Sequence, residues 1–529
     1  MSNTAINNYT NKITFNAILL LFILMVAIAN RFYGLDRLSL WADELWVVMA
    51  SSKGSLLDMF SFIQYHDNHP PGHYFFTRYW QMLFGDSDYT IRFPFAVAGV
   101  FLVYSTYVIG REHYSAAAGL IGAALISSAW QAIYYSQEAR ANIMVAVAAL
   151  WSLNYFYRVV FSDQIDKKNL LGFWVTATLC AYLHYVGTVY VASLALVFFC
   201  LLLLLRRRQA FFVLGLKLFL PVLVLFSPWL PSMYYHLTHT PPGAWWSVPE
   251  WNYFYNNFIW IFWFGGKVFI LYQGAFILLC ITLILYMMSS KKINAAIARA
   301  MVIPEPEVVR ILQFSSLILL MTAIPPIIFF IKSKISQPVY DYRHFIYTMP
   351  FMAMAAGFMV SLFFMRFRRW IGNTILVLIV VFIIAIQNLS NMFGKLYTGP
   401  HGKSEYRQTV SILLNDQRIG EPSTAIIANI YFFNHYLQRF LAGRTADFIV
   451  MDIPQANAAS EQMNAKKVET IYFLETPDRS GNGMISMLDM ELAKRYQPLC
   501  RTHFVYAQII KFSKDAPKEV NWDHLPDCN

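Results

Sequence analysis

Eleven apolar runs, at about 13–30, 91–109, 116–133, 141–158, 169–186, 188–205, 210–230, 259–287, 311–331, 345–364 and 371–388, leave this chain little choice of fold. Most come near the roughly 20 residues that a helix needs to cross a bilayer. In hydrocarbon a backbone must satisfy its own polar groups, which a helix does. The expectation is therefore an α-helical polytopic membrane protein with about eleven transmembrane helices. Composition agrees: 57% of the 529 residues are hydrophobic and 13% are charged, against about 25% charged in soluble domains. The formal charge of +11 raises the question of nucleic acid. Lys and Arg gather in short clusters between the runs, however, not along one face, so no nucleic-acid partner is expected and the bilayer is.

Those clusters orient the chain. With the N-terminus in the cytoplasm, the inner connections hold Lys12, Arg111, Arg158, Lys167, Lys168, Arg206, Arg207, Arg208, Lys291, Lys292, Arg299, Arg310, Arg366, Arg368 and Arg369. The short outer connections hold only Arg140, Lys332, Lys334 and Arg343. Only this orientation satisfies the positive-inside rule. The first run ends in Ala27-Ile28-Ala29, a pattern that a signal peptidase accepts, and with or without cleavage the next segment lies outside. Two domains are expected: 1–395, a membrane domain with a long first periplasmic loop at 31–90, and 396–529, a small periplasmic α/β domain. In the latter, strand-like runs at Thr424–Ile427, Asp447–Met451, Thr470–Leu474 and Tyr506–Lys511 alternate with helical or polar segments. Cys500 and Cys528 both fall there, and in an oxidising compartment a bridge tying down the tail is expected.

The outer side carries a series of short polar motifs. Trp41-Ala42-Asp43-Glu44-Leu45-Trp46 follows the first run at the lipid-water boundary. Adjacent acids diverge in any regular structure, so one of them faces a given cleft. Asp43 is the candidate for catalysis and Glu44 for substrate contact; the bland alternative is that both merely suit the start of a juxtamembrane helix. The loop then presents His66-Asp67-Asn68-His69-Pro70-Pro71-Gly72-His73-Tyr74. Three imidazoles here raise the question of a metal, but none has a closed zinc spacing with Cys, and His69 is read as substrate-facing. Next come Arg92 and Pro94 at the start of the second run, and Tyr134-Tyr135-Ser136-Gln137-Glu138-Ala139-Arg140 between the third and fourth. Glu138 and Arg140 either neutralise each other or belong to a site. His184-Tyr185 and Asp341-Tyr342-Arg343-His344 complete the series, with His184 and Tyr342 as further substrate-binding candidates. No cofactor is demanded; a divalent metal, if one is used, falls to Asp43 and Glu138.

Taken in order, the acidic pair, the His-Pro-Pro element, the Arg-x-Pro element and the Tyr-Ser-Gln-Glu-x-Arg turn resemble the polytopic GT-C glycosyltransferases. The likeness is to bacterial relatives of the protein O-mannosyltransferases and of the lipid A aminoarabinose transferase, and it covers most of residues 10–420, including Ser404-Glu405-Tyr406-Arg407. The resemblance implies transfer of a hexosyl or pentosyl group, with inversion, from a polyprenyl-phosphate carrier at the outer face of a bacterial inner membrane. The acceptor would be a membrane lipid, a glycan or an exported protein. It also implies that Asp43 is the catalytic base, with Glu138 near it. Some members carry Asp where this chain has Glu138.

The chemistry asks for the same groups. A glycosyl phosphate already has a good leaving group, so the site needs a base for the acceptor hydroxyl and cations for the departing phosphate. Arg343, with Arg140 or Arg92 as alternatives, can supply paired donors. A transporter of lipid-linked sugars is the rival reading, and such proteins usually carry acids near the bilayer midplane. None of the eleven runs contains Asp or Glu, and Lys217 is the main buried-charge candidate. A catalytically inactive scaffold is the third.

Overall fold

The computed structural model describes residues 3–162, 164–204, 208–239, 248–252, 269–301, 303–336, 338–365, 368–393 and 405–416. Beyond these it describes 419, 421, 423–428, 432–440, 447–450, 468–476, 496–504, 507–514 and 524–528. The chain divides into two compact units, 1–33 with 53–85 and 90–398, and 34–52 with 86–89 and 399–529.

Each apolar run is mostly helical over its described residues. The first forms α1 (Asn3–Phe32), and the segment that follows is built of three helices, α2 (Ala42–Ser51), α3 (Leu56–His66) and α4 (Gly72–Phe84). The start of α3 is set by a reciprocal cap: Ser55 Oγ accepts from Asp58 N–H and the Asp58 carboxylate accepts from Ser55 N–H. Then come α5 (Asp88–His113), α6 (Ala116–Ser128), α7 (Trp130–Ser136), α8 (Asn142–Val160), α9 (Lys167–Leu183), α10 (Tyr185–Leu204), α11 (Arg208–Phe226) and α12 (Leu230–His239). After them lie α13 (Phe269–Met287), α14 (Lys291–Met301), α15 (Glu305–Ile335), α16 (Thr348–Met365) and α17 (Arg368–Phe393).

Among the described residues seven helices are long and apolar enough to cross a membrane, or eight when a bent pair counts as one. The remaining three runs give shorter apolar helices: α9 has 17 residues, and the apolar parts of α13 and α16 are Tyr272–Met287 and Thr348–Leu362. Residues 259–268 of the eighth run lie outside the described residues. The run at 116–133 was expected as one span, but it breaks at Ala129, where α6 and α7 meet at 62°. Helix α6 is buried from Ala118 to Ser128. Small residues let its neighbour approach closely, since a Cβ on Gly357 of α16 would stand 2.3 Å from the Ala118 carbonyl.

The second unit contains a five-stranded sheet of β1 (Thr424–Ala428), β2 (Asp447–Val450), β3 (Thr470–Glu475), β4 (Gln497–Phe504) and β5 (Ala507–Ser513). Strand order is β2-β1-β3-β5-β4, with β1 parallel to both its neighbours and β5 antiparallel to both of its own. Ala425, Ile427, Ile471, Phe473, Ile510 and Phe512 form its core. The edge strand β4 had not been expected, because Pro498, Arg501 and His503 interrupt any apolar pattern; an edge strand buries too little to need one. The expected boundary at 396, Ser404 and the strand ends at Met451 and Tyr506 lie outside the described residues. Cys500 and Cys528 are bonded, with Cα atoms 5.1 Å apart. Two short helices, α18 (Tyr406–Ser411) and α19 (Phe432–Phe440), accompany the sheet.

Candidate active site

In the first unit, four stretches far apart in sequence bring their polar side chains together around one buried carboxylate. Asp67 closes α3, where its N–H caps Ile63 O, and Pro70-Pro71 then stops the chain until α4 begins at Gly72. That tight passage aims Asp67, His69 and Tyr74 at one another. His69 Nδ1 lies 2.6 Å from Asp67 Oδ1, and the Tyr74 hydroxyl donates to Oδ2. On its other side, His69 Nε2 lies 3.2 Å from Arg140 Nη2. A guanidinium only donates, so Nε2 accepts and the ring proton sits on Nδ1, directed at Asp67. The result is a relay in which Asp67 sets the tautomer of His69 and His69 orients Arg140.

More imidazoles surround this relay. The His69 ring packs edge-on to His184 at 4.8 Å, and His184 lies 5.2 Å from His344. Burial, with the charge of Arg140, holds the His73 imidazole well below its ordinary range. Burial and the neighbouring cations do the same to His184 and His344. Burial pushes the Asp67 carboxyl up, but His69 and Arg140 pull harder, so its net shift is downward. Neutral imidazoles beside a guanidinium give a site that is cationic without being crowded by like charges.

The turn at 341–344 supplies the second part. Asp341 is buried and caps its own turn by accepting from Arg343 N–H at 2.9 Å, and its other oxygen lies 3.4 Å from Arg343 Nε. Burial and the Asp341 charge push the Tyr342 hydroxyl up; it bonds to Tyr135, and Glu138 adds to its electrostatic surroundings. Glu138 itself is buried, two residues beyond the end of α7 at Ser136. Glu138, Tyr342 and Arg343 therefore share one neighbourhood, and Arg343 reaches the His344 end of the imidazole group. Arg92 is buried on α5. Among the described residues no group of three His, Cys, Asp or Glu side chains is placed to hold a metal ion.

The remaining sequence candidates belong to the second unit. Helix α2 buries Leu45, Val47, Val48 and Ala50. The unit receives it through Leu40 N–H donating to the Tyr436 hydroxyl at 2.7 Å and Trp46 meeting the Phe432 ring at 6.1 Å. Asp43 is half-buried in the first turn of α2. Glu44 is fully buried, and its carboxylate accepts from Trp41 N–H at 3.2 Å, so it has a capping task whatever else it does.

Sequence reasoning gave no role to Asp67 or His344, though both stand inside motifs it singled out. A carboxylate two residues before a His that precedes Pro-Pro was the available signal for the first. It gave none to Asp88, which lies in the second unit with Arg407 Nη1 at 2.9 Å, Arg439 Nη1 at 3.0 Å and the Tyr436 hydroxyl at 3.1 Å. Partners more than 300 residues away leave no local trace.

Comparison with known proteins gives a family match over part of the chain and a shared fold. Residues 68–231 match the family described as dolichyl-phosphate-mannose-protein mannosyltransferase. Among solved structures, ArnT from Cupriavidus metallidurans in the apo state is 13% identical, covers 95% of this chain and 98% of its own, and superposes with a TM-score of 0.54. The same protein bound to undecaprenyl phosphate gives 13% and 0.52 over the same shares. The archaeal oligosaccharyltransferase AglB from Archaeoglobus fulgidus, in complex with an inhibitory peptide and a dolichol-phosphate, is 12% identical, with 96% of this chain and 75% of that one covered and a TM-score of 0.53. No curated protein matches the sequence. The chain shares its fold with these proteins, and its long apolar helices are those of an integral membrane protein.

Proposed function

We propose that this chain is a membrane glycosyltransferase of the GT-C type that moves a sugar from a polyprenyl-phosphate donor, undecaprenyl phosphate in a bacterium, to an acceptor at the outer face of the inner membrane. The observation that carries the reading is the group formed by Asp67, His69, Arg140, His184, Arg343 and His344. It gathers two guanidiniums and neutral imidazoles where a phosphate needs donors. The neighbour solved with undecaprenyl phosphate and the one solved with dolichol-phosphate support the donor class.

The reaction follows from the groups. The acceptor hydroxyl gives its proton to Asp43 as its oxygen bonds to the anomeric carbon, and the bond from that carbon to the phosphate oxygen breaks. The electron pair leaves with the phosphate, so no general acid is needed, and attack opposite the leaving group inverts the anomeric centre. Arg140 and Arg343, with Arg92, hold the departing charge through charge-assisted bonds. Glu138, near Tyr342 and Arg343, serves the acceptor side. The C-terminus lies outside, as the distribution of Lys and Arg requires.

The test is mass analysis of surface glycans, lipid A and exported proteins from cells with and without this chain. One sugar should disappear with the chain and return with the wild type. Asp43→Asn should restore it at a rate about 10²–10⁴-fold lower. An unchanged set of glycans would refute the reading, and full restoration by Asp43→Asn would remove Asp43 as the base.

A further inference from the structure

The break between α6 and α7 is held from two sides, by side chains of α1 and of α17. Ending a helix inside an apolar layer leaves its last carbonyls without partners, and no water is there to receive them. Arg31, at the end of α1 and fully buried, donates from Nη2 to Ile126 O at 3.0 Å and from Nη1 to Ser127 O at 2.9 Å. Its charge also lies at the negative end of the α6 dipole. Asn30 Nδ2 donates to Ser127 O at 3.2 Å, Asn391 Nδ2 of α17 donates to Ser128 O at 2.9 Å, and Ser127 Oγ donates to Ala124 O at 2.8 Å.

The contact is reciprocal. Gln137, directly before Glu138, turns its Nε2 back onto the end of α1 and donates to Tyr33 O at 2.9 Å, Arg31 O at 3.1 Å and Asn30 O at 3.4 Å. The two ends thus cap each other: α1 receives Gln137 and α6 receives Arg31. From a third side, Gly99 of α5 admits the contact because it has no side chain. A Cβ there would stand 2.0 Å from Ser136 Oγ and 2.7 Å from Arg31 Nε. All of this fixes one thing, the path of the chain from Trp130 to Arg140, and so where Glu138 and Arg140 point.

We propose that Arg31 and Gln137 are positioning residues that lock the α6–α7 break and thereby aim Glu138 and Arg140 at the reacting groups. This rests on the transfer reading above for what Glu138 and Arg140 do, but the lock itself is independent of it. A general helix cap would serve stability alone. A lock on catalytic geometry should act on rate, because a displacement of about 1 Å at a reacting group can cost about 10²-fold.

The test uses the full chain in lipid nanodiscs, two variants of the locking residues and one of Gly99. Arg31→Lys keeps the charge and loses the fork that spans two carbonyls. Gln137→Glu keeps the shape and turns a donor into an acceptor. Hydrogen exchange of the 130–140 amides, read by mass spectrometry, should speed up tenfold or more in both. Transfer should show kcat lowered about 10²-fold with donor KM changed less than threefold. Gly99→Ala should push the same break from α5 and give the same pattern. Unchanged exchange in both variants would overturn the lock. Faster exchange with an unchanged kcat would overturn its role in positioning, and a raised donor KM with kcat intact would make Arg31 a donor contact instead. A wild-type chain that transfers nothing would sink the proposed function while the exchange measurement still judges the lock.

Discussion

Two buried carboxylates, one in each unit, are handled in opposite ways. Asp88 of the second unit has both oxygens taken by full cations, Arg407 and Arg439, with the Tyr436 hydroxyl on one of them. Arg407 also donates to Arg37 O, so this centre joins the segments at 37, 88, 407 and 436–439. Asp67 of the first unit faces an imidazole and a phenol instead, and passes its influence through His69 to Arg140. A carboxylate saturated by guanidiniums is a structural staple. A carboxylate spent on the tautomer of one ring leaves a guanidinium oriented and cationic, which is what an anion site requires.

The comparison fails or sharpens under mutation. Removing the acid from a buried double pair strands two guanidiniums, so Asp88→Ala should cost about 3–5 kcal/mol and make the second unit sensitive to protease; undiminished resistance would show that Asp88 is no staple. Asp67→Asn should behave differently, with folding kept and the donor KM raised roughly tenfold, the weight of one hydrogen bond to a charged group. If Asp67→Asn unfolds the protein as Asp88→Ala does, the contrast between the two acids disappears.

The smallest effect is one of pH. His73, His184 and His344 have folded pKa values lowered from 6.5, chiefly by burial. The unfolded chain therefore binds protons first as pH falls through about 6.5, and each His withdraws up to about 1.4 kcal/mol per pH unit below that point. Stability in detergent should be full at pH 7.5 and decline toward pH 5.5, and His184→Phe should flatten the decline. A profile that rises toward pH 5.5 would show the imidazoles to be charged.

What could be read in the sequence follows the range of the physics involved. Apolar runs become helices by local length and hydrophobicity, so the helical character of the runs was legible, though among the described residues seven or eight, not eleven, are long and apolar enough to cross; the break at Ala129 was not legible, because the groups that permit it lie on α1 and α17. His69 and Arg140 could each be named from their motifs, but not their 3.2 Å contact. For Glu44 the helix-start alternative was legible beside the substrate contact, and its carboxylate does accept from Trp41 N–H at the start of α2. The split of the segment between the first two apolar runs, whose residues 34–52 and 86–89 join the second unit, depends on partners such as Tyr436 that no local pattern announces.

The most direct measurement of the central claim is binding of undecaprenyl phosphate to the purified chain by native mass spectrometry. The wild type should hold one lipid, Arg140→Ala and Arg343→Ala should each weaken it tenfold or more, and Glu44→Gln should leave it unchanged. Absence of binding to the wild type, or binding that neither arginine substitution disturbs, would contradict a phosphate site built on the Asp67–His69–Arg140 relay.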